Sequence, residues 1–137
     1  MKEILFRGKR ADNGEWVEGY LCKKYFQELP HDRYAIMYKT EYDAKRWQPD
    51  YMTAEVIPST IGQYTGINVG SEKLFEGDVI TMPSYGGGRH KSVVYFKNGK
   101  FAVDGSNYNF KDIAPKHMKK IGNIYDNPEL LKGGNKE

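Results

Sequence analysis

Apolar and polar residues alternate along much of this chain in short runs broken by turn residues, the pattern of β-strands with at least one face in a core. Glu3–Arg7 reads as a first strand, and Asp12-Asn13-Gly14 as a turn, because Asn and Gly tolerate the positive φ of tight hairpins. Glu15–Lys24 then puts Trp16, Glu18, Tyr20 and Cys22 on one face and Val17, Gly19, Leu21 and Lys23 on the other. That alternation predicts a hairpin whose second strand is buried on one side and partly covered on the other. Gln27–Asp32, with Pro30, predicts a loop; Arg33–Lys39 predicts a third strand. Asp43–Tyr51 is polar, holds Trp47 and Pro49, and reads as a loop or irregular crossing before a strand over Met52–Ile57 that Pro58 ends.

The second half continues in the same style. Gly62, Gly66 and Gly70, with Asn68, punctuate the stretch between Glu55 and Ile80. Glycines inside strand-like sequence mark bulges, bends or close backbone approach. The Gly-Lys-[Ser/Thr] ending of a phosphate-cradling loop is missing. Glu76-Gly77-Asp78 predicts a turn into a strand beginning Val79-Ile80, an arrangement shared at fold level with SH3-like barrels. Asp78 has no nearby His to work with, and its expected role is to cap its own turn through an Asx-type hydrogen bond. Pro83–Arg89 is a glycine-rich loop, and Lys91–Lys97 with Lys100–Asp104 form a hairpin around Asn98-Gly99. Ser106–Phe110 and Ile113 lead through Pro115 to a last strand, His117–Tyr125, with Met118 near its start and Ile121 and Ile124 expected in the core. Asn127-Pro128-Glu129-Leu130-Leu131 has the cap, first-turn proline and acid of a short helix over 127–132, stopped by Gly133-Gly134. The expected fold is mostly β, a small β-barrel or sandwich with a short C-terminal helix. It is a single domain, divisible into lobes over 1–57 and 58–126.

Composition narrows the class. A chain of 137 residues, 39% hydrophobic and with mean hydropathy −0.75, has core enough for one polar-surfaced domain. Eleven Tyr, six Phe and two Trp favour pleated sheet. The single cysteine, Cys22, rules out an intramolecular disulfide and reads as a small strand filler. MKEILFRGKR has no signal-peptide core and no run is long enough to span a bilayer, so the expected compartment is the cytoplasm, with no membrane partner.

Charge is uneven. Residues 1–70 hold ten basic and ten acidic side chains, residues 71–137 eleven and eight, so the net +3 lies entirely in the second half. Arg89-His90-Lys91 follows the glycine loop, Lys97 and Lys100 bracket Asn98-Gly99, and Lys116, Lys119 and Lys120 precede the last strand. If these converge near Tyr85, Tyr95 or Tyr108, they form a basic surface with stacking platforms for single-stranded nucleic acid. Lysines at strand ends also serve simply to protect edges and keep a protein soluble.

Four pieces of the sequence carry a resemblance. IPSTIGQYTG followed by LFEGDVI, flanked by ILFRGKRADNGEWVEGYL near the start and IGNIYDNPELL near the end, is similar to the YopX family of phage and prophage proteins. The resemblance covers nearly the whole chain and implies a structural role for Gly62, Gln63, Tyr64, Thr65, Gly66, Glu76, Gly77 and Asp78. The chain departs from the family at Asn68-Val69-Gly70-Ser71, where an Asp-Lys-Asn-Gly turn is more usual. The family brings no established activity, and implies a phage-type accessory protein in the host bacterial cell.

No catalytic constellation is visible. His31, His90 and His117 are scattered without metal-ligand spacing, and no nucleophile elbow is present. The reading leans away from an enzyme, and no cofactor, metal or small-molecule ligand is expected. The leading expectation is a protein-interaction or self-assembling β module, a homo-oligomer or a partner of phage or host proteins. Nineteen aromatics exceed what a small core hides, and exposed Tyr and Trp anchor interfaces. The alternative is a nucleic-acid-binding module using the basic second half.

Overall fold

The computed structural model describes residues 3–24, 33–43, 48–84, 86–103 and 115–131. Among these residues ten strands pair into two antiparallel sheets, one in the order β4-β3-β2-β1-β5-β6 and one in the order β10-β7-β8-β9. The strands are β1 (Phe6–Lys9), β2 (Trp16–Lys24), β3 (Arg33–Asp43), β4 (Gln48–Val56), β5 (Gly62–Val69), β6 (Glu72–Phe75), β7 (Asp78–Pro83), β8 (Arg89–Lys97), β9 (Lys100–Val103) and β10 (Lys119–Asn123). The chain forms two compact units, Met1–Gln63 and Tyr64–Glu137, so β5 runs out of one and into the other. The expected β class is correct. No barrel closes among the described residues, and the predicted C-terminal helix is only a 3-10 turn over Pro128–Leu131. A segment this short, with Gly133-Gly134 just beyond, offers too few residues to nucleate an α-helix. No helix among the described residues is long and apolar enough to cross a membrane.

In the first unit, Phe6 pairs with Gly19, Leu21 with Ile36 and Ile36 with Ala54, which fixes Val17, Ile36, Ala54 and Val56 on one face as its buried core. Phe6, Leu21, Tyr34, Tyr38 and Ile61 pack around them. The sheet curls until the end of β1 meets the end of β4, where Arg10 bridges Val56 and Ile57 N–H donates to Lys9 C=O. Gly8 sits against Val56 and Gly19 against the Met37 carbonyl, so the curl is tight where these two residues lack a Cβ. Thr60, in the 3-10 turn Pro58–Thr60, pins the junction by accepting Lys9 N–H and donating to Ile57 C=O. Arg10 forks onto both oxygens of Asp12 and reaches the Tyr38 hydroxyl. The guanidinium hydrogen bonds hold the Asp12 carboxyl below its ordinary range, and those bonds, Asp12 first, raise Arg10 in turn.

One expectation fails here. Asp43 and Gln48–Tyr51, read from sequence as part of a loop or irregular crossing, are strand: β3 continues to Asp43, β4 starts at Gln48, and Asp43 pairs with Gln48, while 44–47 lie outside the described residues. A register shift between Lys39 and Tyr42 absorbs the polar, proline-bearing sequence, and Pro49 is tolerated because β4 is an edge strand.

In the second unit β7 is central, and Asp78, Val79, Ile80, Thr81 and Met82 are all buried. Ile80, Met82, Val94, Val103, Leu74 and Met118 form the core, with Ile67, Val69 and Phe101 packed against it. The β5–β6 hairpin is irregular between Tyr64 and Asn68, where Gly66 adopts φ 88°. Thr65 stitches that irregularity, its hydroxyl donating to Leu74 C=O and accepting Ile67 N–H. Asn98 and Gly99 both have positive φ (55° and 78°), the two-residue hairpin turn that the sequence predicts. Met118 is buried, but neither expected core residue of this strand is: Ile121 is 40% exposed, because it falls at the register shift between Lys120 and Gly122, and Ile124 is half-buried in the turn after β10.

Candidate nucleic-acid interface

Cross-strand partners in an antiparallel sheet project to the same face, and residues two apart along a strand do likewise. Lys119 pairs with Thr81, Thr81 with Lys91, and Lys97 with Lys100. The regular register of β8 adds Arg89, Val93 and Tyr95 to the face of Lys91 and Lys97, with Ala102 opposite Tyr95. Five of the seven singled-out cations, Arg89, Lys91, Lys97, Lys100 and Lys119, therefore share the face turned away from Ile80, Met82, Val94 and Val103. No Asp or Glu stands on that face among the described residues of these four strands. Successive same-face positions on β8 lie about 7 Å apart, and Lys119 lies about 10 Å from Lys91 across β7.

The remaining two cations lie elsewhere. Lys120 pairs with Ile80 and points to the opposite face, where its ammonium lies 3.4 Å from Asp78 Oδ2 and 3.7 Å from Glu72 and donates to Lys73 C=O. Lys116 is exposed on the 3-10 turn Pro115–His117. Arg89 is on the face but already employed. Its guanidinium donates to the Thr81 hydroxyl (3.0 Å), to Thr81 C=O (2.8 Å) and to His117 C=O (2.7 Å), lacing β8 across β7 to the turn before β10. Lys91, Lys97, Lys100 and Lys119 make no hydrogen bond or ion pair among the described residues. Of the tyrosines considered, Tyr95 is half-buried on the basic face, and Tyr85 and Tyr108 lie outside the described residues.

Asp78, missed as anything more than a turn residue, is the hub of the other side. It is fully buried, and its carboxylate accepts Phe75 N–H at 2.7 Å while facing Lys120. The bond runs backward across Glu76-Gly77, not forward as an Asx turn would, because Asp78 is already the first residue of β7. His90 shares a hydrogen with the Ser84 hydroxyl at 2.9 Å, His117 is exposed on its turn, and His31 lies outside the described residues. Among the described residues no three His, Cys, Asp or Glu side chains gather as metal ligands. Cys22 is half-buried opposite Ala35.

The family model described as YopX protein matches residues 5–132. The chain belongs to the YopX family. A crystal structure of protein EF1440 from Enterococcus faecalis superposes on this YopX chain with a TM-score of 0.61 at 18% identity, covering 96% of this chain and 100% of that one. At that identity the likeness is one of fold. Curated protein sequences gave no match. Of the motif residues, Gly62 and Gln63 pair with Arg7 and Phe6, the Tyr64 ring packs at a tilt on Phe75 with centroids 5.6 Å apart, and Gly77 abuts the Tyr125 ring.

Proposed function

We propose that this YopX-family protein is a nucleic-acid-binding module that lays a single strand along the basic face of the β10-β7-β8-β9 sheet. One observation carries the reading: Arg89, Lys91, Lys97, Lys100 and Lys119 share that face with no acid among them. Lys97 directly opposite Lys100 is a like-charge pair that destabilises a hairpin when nothing sits over it. A phosphate backbone converts that repulsion into attraction, and Tyr95, next to Lys97 on the face, offers a ring for a base. Such a module acts in the cytoplasm of a host bacterium, as the phage-type character of the family implies.

Fluorescence anisotropy with a short single-stranded oligonucleotide over a salt series tests it. Four unengaged lysines predict a slope of roughly −3 for log affinity against log salt. The double variant K97E/K100E is expected to weaken binding roughly tenfold or more while leaving the fold intact, because both side chains are exposed. Absence of salt-sensitive binding by the unaltered protein sinks the reading.

A second reading, a self-assembling or protein-binding module, draws on the first unit. Tyr20 and Tyr51 are 52% and 50% exposed on the sheet face opposite its core, with Met37 between their strands, and β4 ends the sheet. Light scattering on a sizing column decides it: a sharp oligomer indifferent to oligonucleotide favours this reading, and a monomer opposes self-assembly.

A further inference from the structure

A cleft of about 560 Å³ opens along edge strand β10, within the volume range of small-molecule sites. One wall is the β5–β6 turn, Val69–Glu72; the other is formed by Pro115, Lys116 and Met118–Lys120. Its apolar lining, Met118 and Val69, belongs to the core of the second unit. Lys116, Lys119 and Lys120 line it with one acid, Glu72, and Lys120 is engaged by Glu72 and by the buried Asp78 behind it. Lys116 and Lys119 are exposed and carry no side-chain partner among the described residues, and Gly70 and Ser71 form part of the rim. Lys119 belongs to both this cleft and the basic face.

We propose that the cleft binds a nucleoside phosphate monoester, with Lys116 and Lys119 on the phosphate and the nucleoside against Val69 and Pro115. A monoester carries about −1.5 to −2 charges at neutral pH, where an internal diester of a nucleic-acid strand carries only one. Two unengaged ammonium groups beside an apolar wall match the former. The same chemistry comes from two sources: the phosphorylated end of a strand lying on the basic face, or a free mononucleotide. The first source rests on the nucleic-acid reading; the second stands without it.

The experiment titrates the full chain with short labelled single strands bearing a 5′-phosphate, a 3′-phosphate or hydroxyl ends, and separately with adenosine and thymidine monophosphates. If strand ends are the ligand, one phosphorylated strand binds about fivefold or more tightly than the hydroxyl-ended strand, and K116Q removes that ratio. If free nucleotides are the ligand, a monophosphate binds saturably, K116Q weakens it, and the strands do not differ. Equal binding of all strands with no monophosphate binding overturns the cleft site and leaves the basic face standing. No binding of any probe overturns both.

Discussion

Asp78→Ala is expected to destabilise the second unit by about 3 kcal/mol, the largest effect of any single polar substitution in it. The reason lies in what the carboxylate leaves behind. Phe75 N–H loses its acceptor in the core, and the Lys120 ammonium, with only 19% of its side chain exposed, keeps Glu72 at 3.7 Å and a backbone carbonyl as its remaining partners. A buried donor that loses its acceptor and a largely buried ammonium that loses the nearer of its two acids each carry a desolvation penalty that a missing surface pair does not. Asp78→Asn retains an oxygen for Phe75 but no charge for Lys120, so its loss is expected to be intermediate, about 1–2 kcal/mol. Adding Lys120→Met to Asp78→Ala removes the stranded cation and is expected to recover part of the loss. Urea unfolding followed by far-UV circular dichroism measures all three. A loss below about 0.5 kcal/mol for the alanine variant would show that the carboxylate is not the hub described.

Gly19→Ala is expected to be comparably damaging for a different reason. A Cβ built there runs into the backbone carbonyl of Met37 and lies 3.1 Å from Ile36 Cγ2. A flexible side chain can move aside, but a carbonyl engaged in a sheet cannot, so β2 and β3 must part where the first unit curls. The expected loss is about 3 kcal/mol or outright failure to fold. Trp16 and Trp47 both belong to the first unit, so the shift in the tryptophan fluorescence transition reports it directly. Glu18→Ala is the control, because Glu18 is exposed and its side chain points to the other face; it should leave the midpoint within about 0.5 kcal/mol of the parent. Equal midpoints for the two variants would refute the close approach.

Much of this was legible in the residues. Alternation locates β2 and β8, the Glu76-Gly77-Asp78 turn before Val79-Ile80 locates β7, and Asn98-Gly99 declares its turn because few residue pairs accept two positive φ angles in succession. The ends of β3 and β4 are hard to read because Asp43, Pro49 and Asp50 are poor strand formers, and the pairing there is set by the neighbouring strand. The C-terminal turn had the opposite fault: its cap signals were sound, but a cap does not supply length. The candidate site divided the same way. Residue type singled out the cations, and strand register then placed five together. Nothing local warned that Arg89 would be spent on Thr81 and His117, or Lys120 on Asp78, since those partners come from other strands and turns.

Each unit draws on one uninterrupted stretch of chain, divided at Gln63 and Tyr64. That arrangement has a consequence during synthesis. Every strand of the first unit has left the ribosome once the opening residues of β5 emerge, and Gly62 and Gln63 then pair with Arg7 and Phe6. Their pairing joins nearly the first and last residues of that stretch, so it closes the longest loop in the unit and should form late. A translational pause just after β5 would give that slow closure time before the rest of the chain appears.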